Sequence, residues 1–110
     1  MNLKQLLCWQ WDGYRDTHRS RLNLAIHVLT VPVFVLGMVL AGYAIATLSL
    51  RLCAVGLIAN ALAIGLQGVG HRFESVAPPT FAGIGNAVVR ILCEQWVTFP
   101  RFLLTGSWRG

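Results

Sequence analysis

The sequence contains two long apolar runs, residues 22–50 and 52–70, which lack Asp, Glu, Lys and Arg and are separated only by Arg51. A transmembrane helix needs about 20 mostly apolar residues to cross about 30 Å of hydrocarbon, and both runs are long enough. The pattern predicts a membrane-spanning hairpin with helices near 22–48 and 51–70. The first helix is expected to begin in the polar stretch at residue 16 and to bend or break near Pro32.

Two weaker helices are predicted at the ends of the chain. Residues 86–104 are mostly apolar and predict a third span, although they contain Arg90 and Glu94. These two side chains are four residues apart on one helix face and are expected to form an ion pair. Residues 2–12 alternate apolar and polar positions and contain tryptophan, which is typical of a helix lying at the membrane surface. The segment 71–85 includes two consecutive prolines and is predicted to be a loop.

The composition supports a membrane protein. Hydrophobic residues make up 55% of the chain and charged residues only 12%, against about 25% charged in an average soluble domain. The predicted fold is therefore an all-α integral membrane helical bundle, one domain over residues 1–110, with about three transmembrane helices and an N-terminal interfacial helix. Five glycines are expected to serve close helix packing: Gly42, Gly56, Gly65, Gly68 and Gly70.

The basic residues indicate orientation rather than nucleic-acid binding. Arg15, Arg19 and Arg21 precede the first span, which predicts a cytoplasmic N-terminus. The net charge is +5, but no basic face with interleaved aromatic residues is visible, so no nucleic-acid partner is expected. The three cysteines are far apart and contain no CxxC pair, so a thiolate metal site is not indicated. The sequence leaves the oligomeric state open.

The chain has only three histidines, and the hairpin brings them to one end. His27 lies 23 residues before Leu50 and His71 lies 21 residues after it, so at 1.5 Å per residue both are roughly 32–35 Å from the turn. His18 precedes the first span on the same side. Ionisable side chains in membrane segments are costly and indicate a functional site.

Other polar side chains are predicted to join this site. Asn23 is four residues before His27, Gln67 is four residues before His71, and Glu74 follows His71 by three. Imidazole and carboxylate ligands suit Fe, Zn, Mn or Ni, and several histidines with one carboxylate are typical of oxygen-activating non-haem iron. Two histidines at one depth are also compatible with haem, and a small structural or holin-like membrane protein would need no metal.

Two motifs resemble those of membrane 2-hydroxy fatty acid dioxygenases of the fungal phytosphingosine-degradation type, a family that includes short bacterial members. The segment "YRDTHRSRLNLAIHVLTVP" (14–32) fits a Tyr followed by H-x4-N-x3-H and a Pro. The segment "QGVGHRFESVAPPTF" (67–81) fits Q-x-x-G-H followed by a Glu and a Pro. With the hydrophobic pattern, the resemblance covers about residues 14–105.

The resemblance implies an Fe(II) enzyme that uses O₂ to remove one carbon from a 2-hydroxy fatty acid, in the steps of fatty acid α-oxidation. It implies a fatty acyl substrate and, for a bacterial member, location in the inner membrane. The site residues it implies fall into three groups. The metal ligands are His18, His27 and His71, the catalytic residues are Glu74 and Asn23, and the substrate-binding residues are Arg19, Arg72 and Gln67.

The sequence departs from the family at residues 75–77, where "SVA" replaces the usual basic residues between the Glu and the Pro. Those basic residues are expected to hold the substrate carboxylate. The resemblance therefore leaves that role to Arg72 or Arg19.

Overall fold

The computed structural model describes residues 1–109, and within this range the fold is all-α. Five α-helices are present, joined by a π-helical turn and two short 3-10 turns. Their order is α1 Leu3–Tyr14, a 3-10 turn Arg15–Thr17, α2 Arg21–Ala46, α3 Leu50–His71, α4 Ile84–Cys93, the π-helical turn Glu94–Thr98, α5 Phe99–Leu104 and a 3-10 turn Ser107–Arg109.

Helices α2 and α3 form the predicted antiparallel hairpin. The hydroxyl of Ser20 accepts a hydrogen bond from the Asn23 N–H and starts α2, and Ser49 starts α3 in the same way. The turn between them contains Leu48 in a left-handed conformation, with φ of 55°. Helix α2 continues through Pro32, so the break expected there does not occur.

Glycine lets the two helices of the hairpin touch at one crossing. A Cβ on Gly37 would lie 2.8 Å from the Gly56 carbonyl oxygen, and a Cβ on Gly56 would lie 2.6 Å from that of Gly37. Gly70 is also required, because a Cβ there would collide with the Asn23 amide oxygen. The packing role expected for three other glycines is wrong, since a Cβ would meet no atom within 4 Å at Gly42, Gly65 and Gly68.

Both hairpin helices are long and apolar enough to cross a membrane, judged by length and composition. Only 33% of the apolar window of α2 and 17% of that of α3 is buried within the protein. Large apolar side chains such as Leu29, Leu36 and Leu62 are exposed instead. An apolar helix at the centre of a soluble protein would be mostly buried, so the exposure of these faces is compatible with a membrane bundle.

The third predicted span is helical throughout residues 84–104, but it is not one of the two helices among residues 1–109 that are long and apolar enough to cross a membrane. It is divided into α4, the π-helical turn and α5. Pro100 lacks an N–H and its ring clashes with the carbonyl four residues back, which disfavours regular α-helix here. In the π-helical turn the Phe99 N–H donates to the Glu94 carbonyl, five residues back.

Helix α1 packs against the third helical segment. The Gln10 amide donates to the Arg90 carbonyl over 3.0 Å, and its oxygen accepts a hydrogen bond from the Thr98 hydroxyl. The buried core on the α2 side is formed by four residues: Tyr14, Val31, Phe99 and Phe102. This packing places the end of α1 and the start of the π-helical turn against the open end of the hairpin.

Candidate metal centre

The three histidines meet at the open end of the hairpin, as the sequence predicted. His18 lies between the first 3-10 turn and α2, His27 lies within α2, and His71 is the last residue of α3. The centroids of their rings are 4.6–5.3 Å apart, and each pair of rings is nearly perpendicular. His27 is completely buried and His18 nearly so. The hairpin register therefore brings His27 and His71 together, and the connection before α2 adds His18.

The carboxylate among the histidines belongs to Glu94, at the start of the π-helical turn. Its Oε2 atom is 3.4 Å from His18 Nε2 and 3.5 Å from His27 Nε2. His18, His27, His71 and Glu94 each offer one ligand atom, and these four atoms lie within 4.8 Å of one another. This group could hold a metal ion.

Backbone carbonyls fix the tautomers of two of the histidines. His18 Nδ1 is 2.7 Å from the Tyr14 carbonyl oxygen, and His27 Nδ1 is 2.9 Å from that of Asn23. Because a carbonyl can only accept, each Nδ1 carries the proton and donates it. The lone pair of Nε2 on both rings is then directed toward Glu94, which is the orientation of a metal-binding histidine.

The unpaired atoms at the centre fit a metal ion better than a hydrogen-bonded network. His18 Nε2, His27 Nε2 and His71 Nδ1 are buried and have no hydrogen-bond partner among the described residues. The distances from Glu94 exceed the 2.7–3.2 Å of ordinary N–H···O bonds. Two ligand atoms that are each about 2.1 Å from one ion lie roughly 3.0–3.4 Å apart, close to the spacing of Glu94 Oε2 from His18 Nε2 and His27 Nε2.

Tyr14 holds the carboxylate in place. Its hydroxyl donates a 2.6 Å hydrogen bond to Glu94 Oε2, and its ring stacks on His18 with 3.7 Å between centroids. Burial raises the pKa of the Tyr14 phenol well above its usual value, and the charge and the hydrogen bond of Glu94 add to the rise. The phenol therefore remains a hydrogen-bond donor over the physiological pH range.

Glu74 and Asn23, the predicted catalytic residues, lie outside this four-residue group. Glu74 accepts hydrogen bonds from the backbone N–H groups of Arg19 and Ser20 and from the Asn23 amide over 2.7–3.0 Å. Asn23 is completely buried, and its backbone carbonyl accepts the hydrogen bond from Nδ1 of His27. The two residues thus connect the loop after α3 to the start of α2 and to one histidine.

The predicted substrate-binding residues occupy three different environments. Gln67 forms a reciprocal amide pair with Gln95, with hydrogen bonds of 2.9 and 2.8 Å in the two directions. Arg19 is bonded to Asp16 at the exposed surface. Arg72 lies beside a cavity next to His71. Only Arg72 combines a free position near the histidines with access to that cavity.

Arg90 does not form the expected ion pair with Glu94. Its guanidinium instead donates to the carbonyls of Pro79 and Thr80 over 2.8 and 2.9 Å and lies over the ring of Phe81. These contacts hold the loop before α4 against the helix. The pairing prediction fails because the loop carbonyls need a donor and Glu94 is committed to Tyr14 and the histidines.

A cavity of about 970 Å³ opens beside the histidines. His18, His71 and Glu94 line one part of it, and the rest is lined by apolar residues such as Trp9 and Ile64 together with polar and charged ones such as Asp12 and Arg90. This size is at the upper end of the usual range for small-molecule sites. A ligand with a long apolar portion could therefore lie beside His18, His71 and Glu94.

The fold and the site together define an all-α protein with a three-histidine, one-carboxylate group capable of binding metal. The sequence profile of one protein family, 2-hydroxy-palmitic acid dioxygenase Mpo1-like, matches residues 6–104. The chain belongs to this Mpo1-like family, which is the family that its two motifs resemble. Comparison with curated proteins and with solved structures gives no match.

Proposed function

We propose that the protein is an Fe(II)-dependent dioxygenase of the membrane that removes one carbon from 2-hydroxy fatty acids. One observation carries the proposal. Each of the three histidines has a buried ring nitrogen without a hydrogen-bond partner, and these nitrogens lie beside the carboxylate of Glu94. Imidazole and carboxylate ligands suit iron among several metals, and the family description favours an oxidative reaction on a 2-hydroxy acid.

The proposed ligands are His18, His27, His71 and Glu94. A bound ferrous ion held by these four ligands would supply open positions for O₂ and for an oxygen of the 2-hydroxy acid. The overall reaction converts R–CH(OH)–COOH and O₂ into R–COOH, CO₂ and H₂O. The bond between the first two carbons breaks, and the four electrons lost by these carbons reduce O₂.

The protein's own residues would prepare this site. Because backbone carbonyls accept from Nδ1 of His18 and His27, Nε2 is the ligand atom that each neutral ring offers. Arg72 lines the cavity next to His71. We therefore assign it to binding the substrate carboxylate, the role expected of other basic residues in family members. Asn23 and Glu74 are assigned to holding His27 and the start of α2 rather than to contact with substrate.

The proposal places α2 and α3 across the membrane, in a bacterial inner membrane with the N-terminus in the cytoplasm. The exposed apolar faces of both helices support insertion. Most arginines lie near the open end of the hairpin, and Arg51 lies near its turn, which favours a cytoplasmic metal centre. Carbonate washing should leave the protein in membranes, and reporters at residue 1 and Arg51 should lie on opposite sides.

The alternatives make different spectroscopic and analytical predictions. Haem ligation by two of the histidines would need a flat macrocycle between rings whose centroids are only 4.6–5.3 Å apart. A structural membrane protein would bind no metal. Anaerobic purification followed by metal analysis, a visible spectrum and oxygen uptake with a 2-hydroxy fatty acid tests all three. Stoichiometric iron, no Soret band and substrate-dependent oxygen uptake are expected.

A further inference from the structure

The cavity beside the candidate metal centre extends along α3. Five residues of this helix line it at the spacing of a single helix face: Ile64, Gln67, Gly68, His71 and Arg72. Ile64 is seven residues before His71, a distance of about 10 Å along the helix axis. The cavity therefore extends from the histidines along an apolar part of a helix that is long and apolar enough to span the membrane.

Gly68 lines this cavity on α3 between Ile64 and His71. It lies one turn from His71, and a Cβ built on it would meet no atom within 4 Å. Glycine is not needed here for helix packing, in contrast to Gly70, where a Cβ would collide with Asn23. The missing side chain instead leaves open the path between the metal centre and Ile64.

We infer that this cavity holds the acyl chain of the substrate and that Gly68 determines how long that chain can be. The inference rests on the proposed function, because it places the polar head of the substrate at His18, His71 and Glu94. The apolar chain then passes over Gly68 toward Ile64 and Trp9. Arg72 at the cavity matches a carboxylate head group and not an apolar end, which fixes the direction of the ligand.

The physical consequence is a dependence of affinity on chain length. Each methylene group moved out of water contributes about fourfold to binding. A side chain at position 68 would lean toward the preceding helical turn, because Cβ atoms in a helix point toward its N-terminus. A phenylalanine there would cover the space beside Ile64 while leaving the histidines accessible to short acids.

Gly65 provides a matched control on the same helix. A Cβ at this position also meets no atom within 4 Å, so a side chain would start in open space as at Gly68, but Gly65 does not line the cavity. Gly68→Phe and Gly65→Phe therefore add equal bulk to α3 on different faces. Iron content of both variants reports whether the metal centre and the fold are intact, independently of acyl binding.

The experiment measures dissociation constants of 2-hydroxyoctanoate, 2-hydroxydodecanoate and 2-hydroxyhexadecanoate without oxygen, for all three proteins in identical lipid nanodiscs. Identical nanodiscs cancel the partitioning of longer acids into lipid. Gly68→Phe should bind the longest acid at least about tenfold more weakly than wild type, the loss of roughly two buried methylenes. It should bind the shortest acid within about twofold, and Gly65→Phe should match wild type.

Different results would overturn the role of Gly68 and the proposed function. If wild type binds and oxidises these acids but Gly68→Phe has the same chain-length profile as Gly65→Phe, the cavity does not hold the chain, and the proposed function stands. Equal loss of long-acid binding in both variants likewise overturns the role of Gly68. If wild type neither binds nor oxidises any of the acids, the proposed function itself fails.

Discussion

Tyr14 donates a 2.6 Å hydrogen bond to Oε2 of Glu94, the same atom that lies 3.4 Å from Nε2 of His18. Eighty residues separate the two side chains in sequence. Through this contact α1 holds a carboxylate supplied by the π-helical turn against histidines supplied by the hairpin. Three separate parts of the chain must therefore be assembled before the candidate metal centre exists.

The two partly buried glutamates, Glu74 and Glu94, should differ in their effect on metal binding. Glu94→Gln removes the charge from the proposed ligand set and should lower iron content severely. Glu74→Gln is the matched control, because Glu74 bonds to Asn23 and to the start of α2 instead. It should lower thermal stability while retaining most of the iron. Equal iron loss in both variants, measured per protein, would contradict the assignment of Glu94.

Tyr14→Phe tests how much the hydrogen bond that positions Glu94 contributes to metal affinity. The substitution keeps the ring that stacks on His18 and removes only the hydroxyl that donates to the carboxylate. Loss of such an outer hydrogen bond typically costs about 10–100-fold in metal affinity. Competition with a chelator should show this reduction. Unchanged affinity would mean that Glu94 holds its position without the phenol.

The amide pair between Gln67 and Gln95 should show strong energetic coupling. Both side chains are buried, and each donates to the other. Gln95→Leu leaves the Gln67 amide without its partner and should destabilise the protein by about 1–3 kcal/mol. The double variant with Gln67→Leu should recover part of that loss. Thermal unfolding of the four proteins measures the coupling, and additive effects would show that the pair is not a unit.

Alanine substitutions at two glycines of α2 should change the stability of the hairpin in different directions. Gly37→Ala places a Cβ 2.8 Å from the Gly56 carbonyl oxygen and should destabilise the hairpin by about 1–3 kcal/mol. Gly42→Ala in the same helix meets no atom and should be neutral or stabilising by up to about 1 kcal/mol. Denaturation of both variants in the same detergent makes the comparison; equal destabilisation would rule out the close crossing.

The hairpin and the meeting of the histidines could be predicted from sequence because both depend on simple helix geometry. Two charge-free runs separated by Arg51 define helix lengths, and the rise per residue then places His27 and His71 at one depth. Neither step requires knowledge of side-chain contacts. For the same reason the helix ends agree with the structure to within a few residues, with α2 ending at Ala46 and α3 at His71. The start predicted at residue 16 is wrong, because Ser20 caps α2 and the helix begins at Arg21.

The identity of the carboxylate could not be predicted because it depends on where helices end and which partners compete. The expectation for Glu74 assumed that α3 continues past His71, but the helix ends there and Glu74 turns to the start of α2. The expectation for Glu94 considered only Arg90, its neighbour on the same helix. The available signal was an isolated acidic residue in an apolar segment, which also fits a buried functional group.

Iron bound per protein in the His27→Ala variant, compared with wild type, tests the central claim most directly. His27 is fully buried, its Nδ1 is bonded to the Asn23 carbonyl, and its Nε2 has no hydrogen-bond partner among residues 1–109. The account predicts about one iron in wild type and severe loss in His27→Ala, with the variant still inserted in the membrane because insertion depends on the apolar runs. Full retention of iron by an inserted His27→Ala protein would contradict it.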